Sequence, residues 1–362
     1  MHILVVFPNI EVENEFVDRI VSILQRDHTV KKDVEAFWEE VKPDKYDLII
    51  LNWPETCFKK IWKQITQQDY ESFVTQMQEW QDAGTKVLSF RHNIYRHNSV
   101  TPFNDKLYDY IYTQADGIIH LGKYSLNHYN KAYPTAVGVH HGIIPHPLYH
   151  NFDFEKEKRV ARKELKIPQR TFFCLVPGWV RSNQEVDLAI QIFNKIRQRP
   201  ARLVFMNVFK VKPLYSKKDI RFYFQIIKEF YDRHFKGIYL KRYVLSSDAF
   251  SRYVAAADLL ILPRTGVLNS GNLTMAAQFG KLLVGPSCGN LREEIERFGF
   301  ISFGTDSVTI SEAELNLQIR EKANLDFTSN LKKQVLIDNS DCQIKTRLNG
   351  LIDQVLGVKK DV

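Results

Sequence analysis

Short runs of Val, Ile, Leu and Phe recur along the chain without the polar alternation of a half-exposed strand, and stretches with helical spacing separate them. Strands that helices cover on both faces have this pattern, and a helix between successive strands produces a parallel sheet. We predict strands at residues 2–7, 47–52, 86–90, 117–121, 171–176, 202–206, 237–240, 258–262 and 282–285. The pattern therefore predicts an α/β protein with parallel sheets.

The length of 362 residues exceeds what one hydrophobic core usually serves, so two domains are expected. A charged stretch between Asn151 and Arg170 separates two sets of predicted strands. We predict an N-terminal domain at residues 1–152 and a C-terminal domain at residues 153–340. Residues 341–362 carry an amphipathic pattern, which predicts a last helix that packs back on the N-terminal domain.

The chain is basic, with 50 Lys and Arg against 42 Asp and Glu and a net charge of +8. This balance is compatible with a nucleic acid, an anionic membrane surface or a phosphorylated substrate. A nucleic acid is not predicted as a partner, because the sequence lacks a recognition motif or a basic stripe interleaved with stacking aromatics. Residues 58–63 do interleave basic and aromatic side chains as an interfacial helix does, although an ordinary surface helix explains them as well.

The composition also predicts where the protein works. No apolar stretch approaches membrane-spanning length, and the first residues fit a buried strand better than a signal peptide. The four cysteines lie far apart, which argues against a disulfide framework or a zinc site. We therefore expect a cytoplasmic protein that can associate peripherally with the inner face of the membrane.

The strongest candidate binding segment follows the predicted strand at 258–262. A polar loop leads to Ser270, Gly271 and Asn272, and a helical run begins there. Backbone N–H groups and the positive end of a helix dipole suit a diphosphate, although Ser270 is equally explained as a helix N-cap. A second segment ends a strand in a glycine turn at Gly178, with Arg181 just beyond it. Ligands of open α/β sheets bind at such strand ends, so Arg181 is a candidate diphosphate contact.

Polar residues also follow strands in the N-terminal half. His92 and His97 lie in one dense polar segment, and Glu55 lies in another beside Trp53. Histidine and glutamate can act as general bases, and Trp53 could stack on a sugar face. Glu55 is equally explained as a carboxylate at a helix N-terminus.

A further segment, residues 140–149, is rich in histidine and proline. We interpret it as an extended linker rather than a metal site, because acidic partners at ligand spacing are missing from it.

Taken in this order, these segments resemble bacterial glycosyltransferases of the GT-B fold, of the surface polysaccharide type. That class has two Rossmann-like domains whose parallel sheets face one another across a cleft. The resemblance covers most of the chain. It rests on His92–His97, Ala115–His120, Ala161–Leu165, Pro177–Arg181, Ala255–Asp258, Leu262-Pro263, Ser270-Gly271 and Gly280-Lys281.

The resemblance implies a glycosyltransferase, of the hexosyltransferase class, that moves a sugar from a nucleotide-sugar donor to a hydroxyl group. The donor would be a UDP- or GDP-sugar, the acceptor a saccharide or lipid-linked saccharide, and no cofactor or metal would be required. It implies that the C-terminal domain binds the donor and that the N-terminal domain binds the acceptor. The positions matched to the donor are Gly178, Arg181, Ser270, Gly271 and Asn272 for the phosphates, Arg242, Tyr243 and Val244 for the base, and His92 for the sugar.

The sequence departs from the family pattern at three positions. Many retaining members carry two glutamates where this chain has Val267 and Met275, and others carry a lysine where it has Gln184. The first difference favours an inverting mechanism, with His97 as the first candidate base and Glu55 as the second. The second difference leaves more of the phosphate charge to Arg181, to the helix N-terminus or to a residue not yet identified. A GT-B-like nucleotide-sugar epimerase and a non-catalytic nucleotide-sugar-binding protein remain alternatives.

Overall fold

The computed structural model describes residues 1–8, 14–58, 64–95, 101–208, 220–241, 245–305 and 309–358. The chain divides into two compact units. The first unit contains Met1–Leu148 together with Asp338–Val362, and the second contains Tyr149–Ile337. The boundaries thus lie a few residues before the predicted ones at 152 and 340.

In its described residues, the first unit contains a sheet of six parallel strands in the order β2-β1-β3-β4-β5-β6. The strands are β1 (His2–Val6), β2 (Thr29–Lys32), β3 (Leu48–Leu51), β4 (Lys86–Arg91), β5 (Gly117–His120) and β6 (His140–Ile143). The helices are α1 (Glu15–Leu24), α2 (Gln67–Asp82), α3 (Pro102–Gln114) and α4 (Lys123–Ala132), with 3₁₀ helices at Glu35–Trp38 and Pro54–Cys57.

The central strands of this sheet are apolar on both faces because helices cover both sides. Ile3 and Val5 of β1 belong to the core that α1 contributes to, whereas Leu4 and Val6 belong to the core of α2 and α3. Continuous burial of β3 follows from the same arrangement. Helix α2 begins after Thr66, whose side chain accepts a hydrogen bond from the Asp69 N–H in a capping box.

The second unit contains a parallel sheet in the order β12-β11-β10-β7-β8-β9, counted over its described residues. The strands are β7 (Phe172–Val176), β8 (Ala201–Phe205), β9 (Ile238–Leu240), β10 (Leu259–Ile261), β11 (Leu282–Pro286) and β12 (Ile301–Phe303). The helices are α5 (Lys158–Glu164), α6 (Asn183–Asn194), α7 (Ile220–Phe235), α8 (Ser247–Ala256), α9 (Asn272–Gln278), α10 (Leu291–Phe298), α11 (Glu312–Lys322) and α12 (Leu325–Asp338).

A buried ion pair joins two of the matched segments in the second unit. Arg162 of α5 is 3% exposed, and its Nη2 lies 2.5 Å from Oδ2 of Asp258, the residue before β10. The same Asp258 oxygen accepts the Phe173 N–H at 2.6 Å. The pair therefore connects α5 to the two central strands of the sheet.

The last helix, α13 (Asp341–Leu356), belongs to the first unit. Its buried residues Ile344, Leu348 and Leu351 join the core beneath α1. Asp341 accepts hydrogen bonds from Arg19 at 2.5 Å and from Arg26, which attach the start of α13 to α1.

The histidine-rich segment at 140–149 is not entirely the predicted linker, because His140–Ile143 forms β6 at the sheet edge. A short polar edge strand lacks the apolar run that marks a central one. Gly142 of β6 packs closely against α13, since a Cβ atom there would lie 2.9 Å from Cδ2 of Leu351. The predicted interfacial segment at 58–63 lies, after Phe58, outside the described residues.

Candidate functional site

The strand order of the second sheet reverses between β7 and β10, which pair directly through Cys174 with Leu259 and Leu175 with Leu260. The chain leaves the carboxyl ends of these two strands in opposite lateral directions, which opens a crevice where open α/β sheets bind ligands. The predicted donor residues follow these strands. This is the candidate site of the second unit.

The structure brings Gly178 and Asn272 together at this crevice. Gly178 has a φ of 77°, a left-handed conformation that favours glycine, and it follows β7. A Cβ atom on Gly178 would lie 3.6 Å from Nδ2 of Asn272, the first residue of α9. Ser270 is not the N-cap of α9, because the cap residue is Gly271. The carbonyl of Ser270 instead accepts the Leu273 N–H at 3.3 Å.

Two arginines meet at the same crevice. Arg264 follows β10, and its Nε donates to Oε1 of Glu185 at 2.9 Å, while its Nη2 donates to the Trp179 carbonyl. The backbone N–H of Arg181 donates to Oε2 of Glu185 at 2.9 Å. Partial desolvation, and then the like charge of Arg264, lower the pKa of Arg181. Glu185 therefore binds both residues and brings two guanidinium-bearing loops to one place.

Arg264 and Glu185 were not among the predicted site residues. A signal for Arg264 was present, since it stands two residues beyond an apolar run and therefore at the carboxyl end of a strand. Glu185 gave no comparable signal, because its role depends on a contact with a residue 79 positions away.

In the first unit, His92 follows β4 and packs against aromatic side chains. Its ring stacks on Trp53 at 4.0 Å between centroids and meets Phe16 edge-on at 4.7 Å. Burial, and then the charge of His146, lower the pKa of His92 to about 3. His92 is therefore neutral at physiological pH, and one face of Trp53 is occupied by this imidazole rather than open to a sugar.

Glu55 lies in the first turn of the 3₁₀ helix Pro54–Cys57. The Tyr108 hydroxyl donates to its Oε2 at 2.7 Å. Burial, and then the neighbouring Glu55 charge, raise the pKa of Tyr108. The carboxylate of Glu55 is therefore held in one orientation by a neutral phenol of α3.

Four predicted site residues lie outside the residues that the structure describes. They are His97, the first candidate base, and Arg242, Tyr243 and Val244, the residues matched to base binding.

Solved structures with the same arrangement cover nearly the whole chain. Sucrose-phosphate synthase from Thermosynechococcus elongatus matches with a TM-score of 0.70 and 14% identity, over 99% of each chain. HepE from Anabaena, in complex with UDP and glucose, matches with a TM-score of 0.66 and 12% identity, over 98% of this chain and 100% of its own. WaaG, a glycosyltransferase involved in lipopolysaccharide biosynthesis, matches with a TM-score of 0.59 and 12% identity, over 99% of this chain and 100% of its own.

This chain has the GT-B fold. The two Rossmann-like units of that fold correspond to the two parallel sheets. No protein-family model matches the sequence, and no curated protein sequence matches it either. The fold is therefore established by the structure at low sequence identity.

The three positions at which the sequence departs from the family pattern differ in their burial in this GT-B fold. Val267 and Met275 are buried apolar side chains, 8% and 2% exposed. Gln184 is exposed in the first turn of α6. The charge that a lysine would carry at that position is therefore absent, while Arg264 brings a positive charge to the neighbouring Glu185 from another strand.

The described residues contain neither a candidate metal centre nor a candidate membrane span. Within those ranges, no group of three or more His, Cys, Asp and Glu side chains is arranged to hold a metal ion. None of the described helices is both long and apolar enough to cross a bilayer. That the reaction requires no metal stays a prediction.

Proposed function

We propose that this protein is a glycosyltransferase that moves a sugar, of the hexosyl class, from a nucleotide-sugar donor to a hydroxyl group of a saccharide or lipid-linked saccharide. The observation that carries the proposal lies at the switch point of a GT-B sheet. Arg181 and Arg264 both contact Glu185 there, and the Gly178 turn lies against Asn272 at the start of α9. We place the reaction in the cytoplasm, at the inner face of the membrane for a lipid-linked acceptor.

The donor diphosphate would bind at this crevice of the second unit. Arg181 and Arg264 would neutralise the charge that develops on the leaving nucleoside diphosphate, and Glu185 would hold Arg264 in orientation. The absent side chain of Gly178 leaves its backbone accessible beside Asn272. UDP-sugars are the first donors to test, because HepE was solved with UDP-glucose, and GDP-sugars are the second.

The proposed mechanism is inverting. A base takes the proton of the acceptor hydroxyl, whose oxygen bonds to the anomeric carbon while the bond from that carbon to the diphosphate oxygen breaks. The buried apolar residues Val267 and Met275, at the positions of the family's glutamates, support this choice. His97 stays the first candidate base and Glu55 the second, and His92 is proposed to contact the donor sugar as a neutral imidazole.

The test combines nucleotide binding with acceptor-dependent turnover. Thermal shift against UDP, GDP, CMP and their sugars should show stabilisation by one nucleotide class. Arg264→Ala and Arg181→Ala should each weaken the affinity about 10- to 100-fold, because a hydrogen bond to a charged group contributes ~1.5–3 kcal/mol. Arg292→Ala is the matched control, since its side chain is 68% exposed and pairs with Glu296 on α10.

Nucleotide release then separates the transferase from the alternatives. A transferase should release nucleotide in proportion to added acceptor, an epimerase should convert the donor without one, and a binding protein should do neither. His97→Ala should abolish transfer while it leaves donor affinity largely unchanged. Stabilisation by no nucleotide, or an identical shift for wild type and both arginine variants, would contradict the proposed donor site.

A further inference from the structure

Helix α7 has an unusual exposure for a helix that connects two strands of a parallel sheet. None of its 16 residues, all of which the structure describes, is buried. Phe224 and Ile227 are each 64% exposed, and Phe230 is 58% exposed. Crossover helices normally bury an apolar stripe on the sheet. The apolar residues of α7 therefore do not serve the core of the second unit.

The two faces of α7 are reversed relative to an ordinary surface helix. The half-buried positions Phe222, Gln225, Glu229 and Asp232 recur at helical spacing on one side, and three of them are polar. The exposed apolar side chains are Ile220, Tyr223, Phe224, Ile226, Ile227, Phe230, Tyr231 and Phe235. Their positions cover about half of the helix circumference at 100° per residue. We call this exposed set the α7 apolar face.

Basic side chains border the α7 apolar face. Arg221, Lys228 and Arg233 are exposed, and helical spacing places Lys228 and Arg221 along one edge and Arg233 along the other. The acidic residues lie on the opposite, half-buried side, where the Asp232 side chain is 15% exposed and pairs with Lys236 at 3.2 Å. The surface that α7 presents to solvent is therefore both apolar and positive.

We propose that α7 is an interfacial helix that binds the surface of an anionic lipid bilayer. An apolar half with Phe, Tyr and Ile and basic borders is what the headgroup region accommodates, because the rings enter the acyl boundary while Lys and Arg reach phosphates. A second copy of the chain is a poorer occupant, since two such faces would bring Arg221, Lys228 and Arg233 against their own counterparts. The inference depends on α7 alone and not on the sugar transferred.

Vesicle co-sedimentation tests this proposal in the absence of any nucleotide. The full-length protein should bind vesicles of phosphatidylcholine and phosphatidylglycerol in equal amounts, bind pure phosphatidylcholine weakly, and lose binding as salt increases. The double variant Phe224→Glu, Ile227→Glu should partition at least about 100-fold less, because each of the two large apolar side chains removed from the interface costs more than one tenfold step.

Leu325→Glu with Leu336→Glu is the matched control. These leucines lie on α12, are 83% and 54% exposed, and give the same change in net charge. Binding by the control and loss by the α7 variant, with unchanged circular dichroism, would support the proposal. Equal binding by both variants, or no binding by the wild type, would overturn it. A wild-type dimer that the α7 variant converts to a monomer, without vesicle binding, would assign the face to self-association instead. Nucleotide affinity, measured separately, is expected to be the same in all three proteins.

Discussion

At the scale of single residues, Glu294 is an acid whose surroundings oppose its charge. It lies in the first turn of α10, its side chain is 14% exposed, and its Oε1 is 3.7 Å from Nη2 of Arg297. Burial raises the pKa of Glu294 to about 7, a rise that Arg297 limits and the adjacent Glu293 increases. The folded protein therefore resists ionisation of this carboxyl group at neutral pH.

The energetic cost of ionising the buried Glu294 carboxyl group should make the effect of replacing it depend on pH. An unfolded glutamate has a pKa of about 4.3, so the folded state binds the extra proton between there and about 7, and the free energy of unfolding falls as pH rises through that window. Glu294→Gln should stabilise the protein by about 1–3 kcal/mol at pH 8 and by little at pH ~4. Urea denaturation at both pH values measures this change in the free energy of unfolding.

Glu296→Gln is the control for Glu294→Gln, because the Glu296 side chain is 67% exposed. Its effect on the free energy of unfolding should be small and should not change with pH. A Glu294→Gln effect that is equally independent of pH would contradict the raised pKa.

At the scale of elements, α13 packs so closely on the first sheet that a side chain on the strand beneath it would displace Leu351. The absent side chain of Gly142 in β6 leaves the space that Leu351 occupies. Gly350, one residue earlier on α13, has no atom within 4 Å of where a Cβ would lie. Two glycines on opposite sides of one contact therefore have opposite requirements.

The same substitution at these two glycines should have opposite effects. Gly142→Ala should destabilise the protein by ~1–3 kcal/mol, because its Cβ forces Leu351 to move. Gly350→Ala should stabilise it by ~0.5–1 kcal/mol, because alanine loses less conformational entropy in a helix. Thermal unfolding of both variants measures the sign of each change in stability. Destabilisation by both would show that α13 tolerates no added methyl group, contrary to the geometry.

The elements that could be predicted from the sequence are those in which buried positions carry apolar residues. β3 is a continuous apolar run because it is covered on both faces, so it was predicted within a residue at each end. β2 and β6 lie at positions where polar residues are tolerated, and their sequences Thr-Val-Lys-Lys and His-His-Gly-Ile gave no such signal. Helix α7 was not predicted, because its apolar positions do not face the sheet.

Site residues were predictable where they follow a strand, and less so where tertiary contacts decide their state. Gly178 and Asn272 could be placed at strand and helix ends, and the structure brings them together. The stacking of His92 on Trp53 and the binding of Arg264 by Glu185 depend on residues distant in sequence. Local pattern therefore predicts which residues lie at the crevice but not which side chains hold them in place.

At the scale of the whole molecule, the two units carry different titratable groups. In the first unit, burial is the main cause that lowers the pKa of His92 to about 3, of His120 to about 2 and of His146 to about 4. In the second unit, burial raises the pKa of Glu294 to about 7 and lowers that of Lys281 to about 7. Lowering the pH therefore destabilises mainly the first unit.

Calorimetry at two pH values should separate the units. Unfolded histidine has a pKa of ~6.5, so each buried histidine contributes stability that is present above that value and lost as pH falls below it. Between pH ~7.5 and ~5.5 the three histidines should cost the first unit up to about 4 kcal/mol. Glu294 and Lys281 act in opposite directions over this range, so the second unit should change little. A single transition that keeps its midpoint would contradict this prediction.

The return of α13 to the first unit makes the second unit an insertion within the first. During synthesis, a ribosome that has completed Tyr149–Ile337 has supplied every residue of the second unit, while the first still lacks Asp338–Val362. The core residues that α13 contributes, among them Ile344, Leu348 and Leu351, leave the exit tunnel after the whole second unit. The unit that begins the chain therefore completes its core only after the whole second unit has been synthesised, and until then the core beneath α1 lacks the contribution of α13.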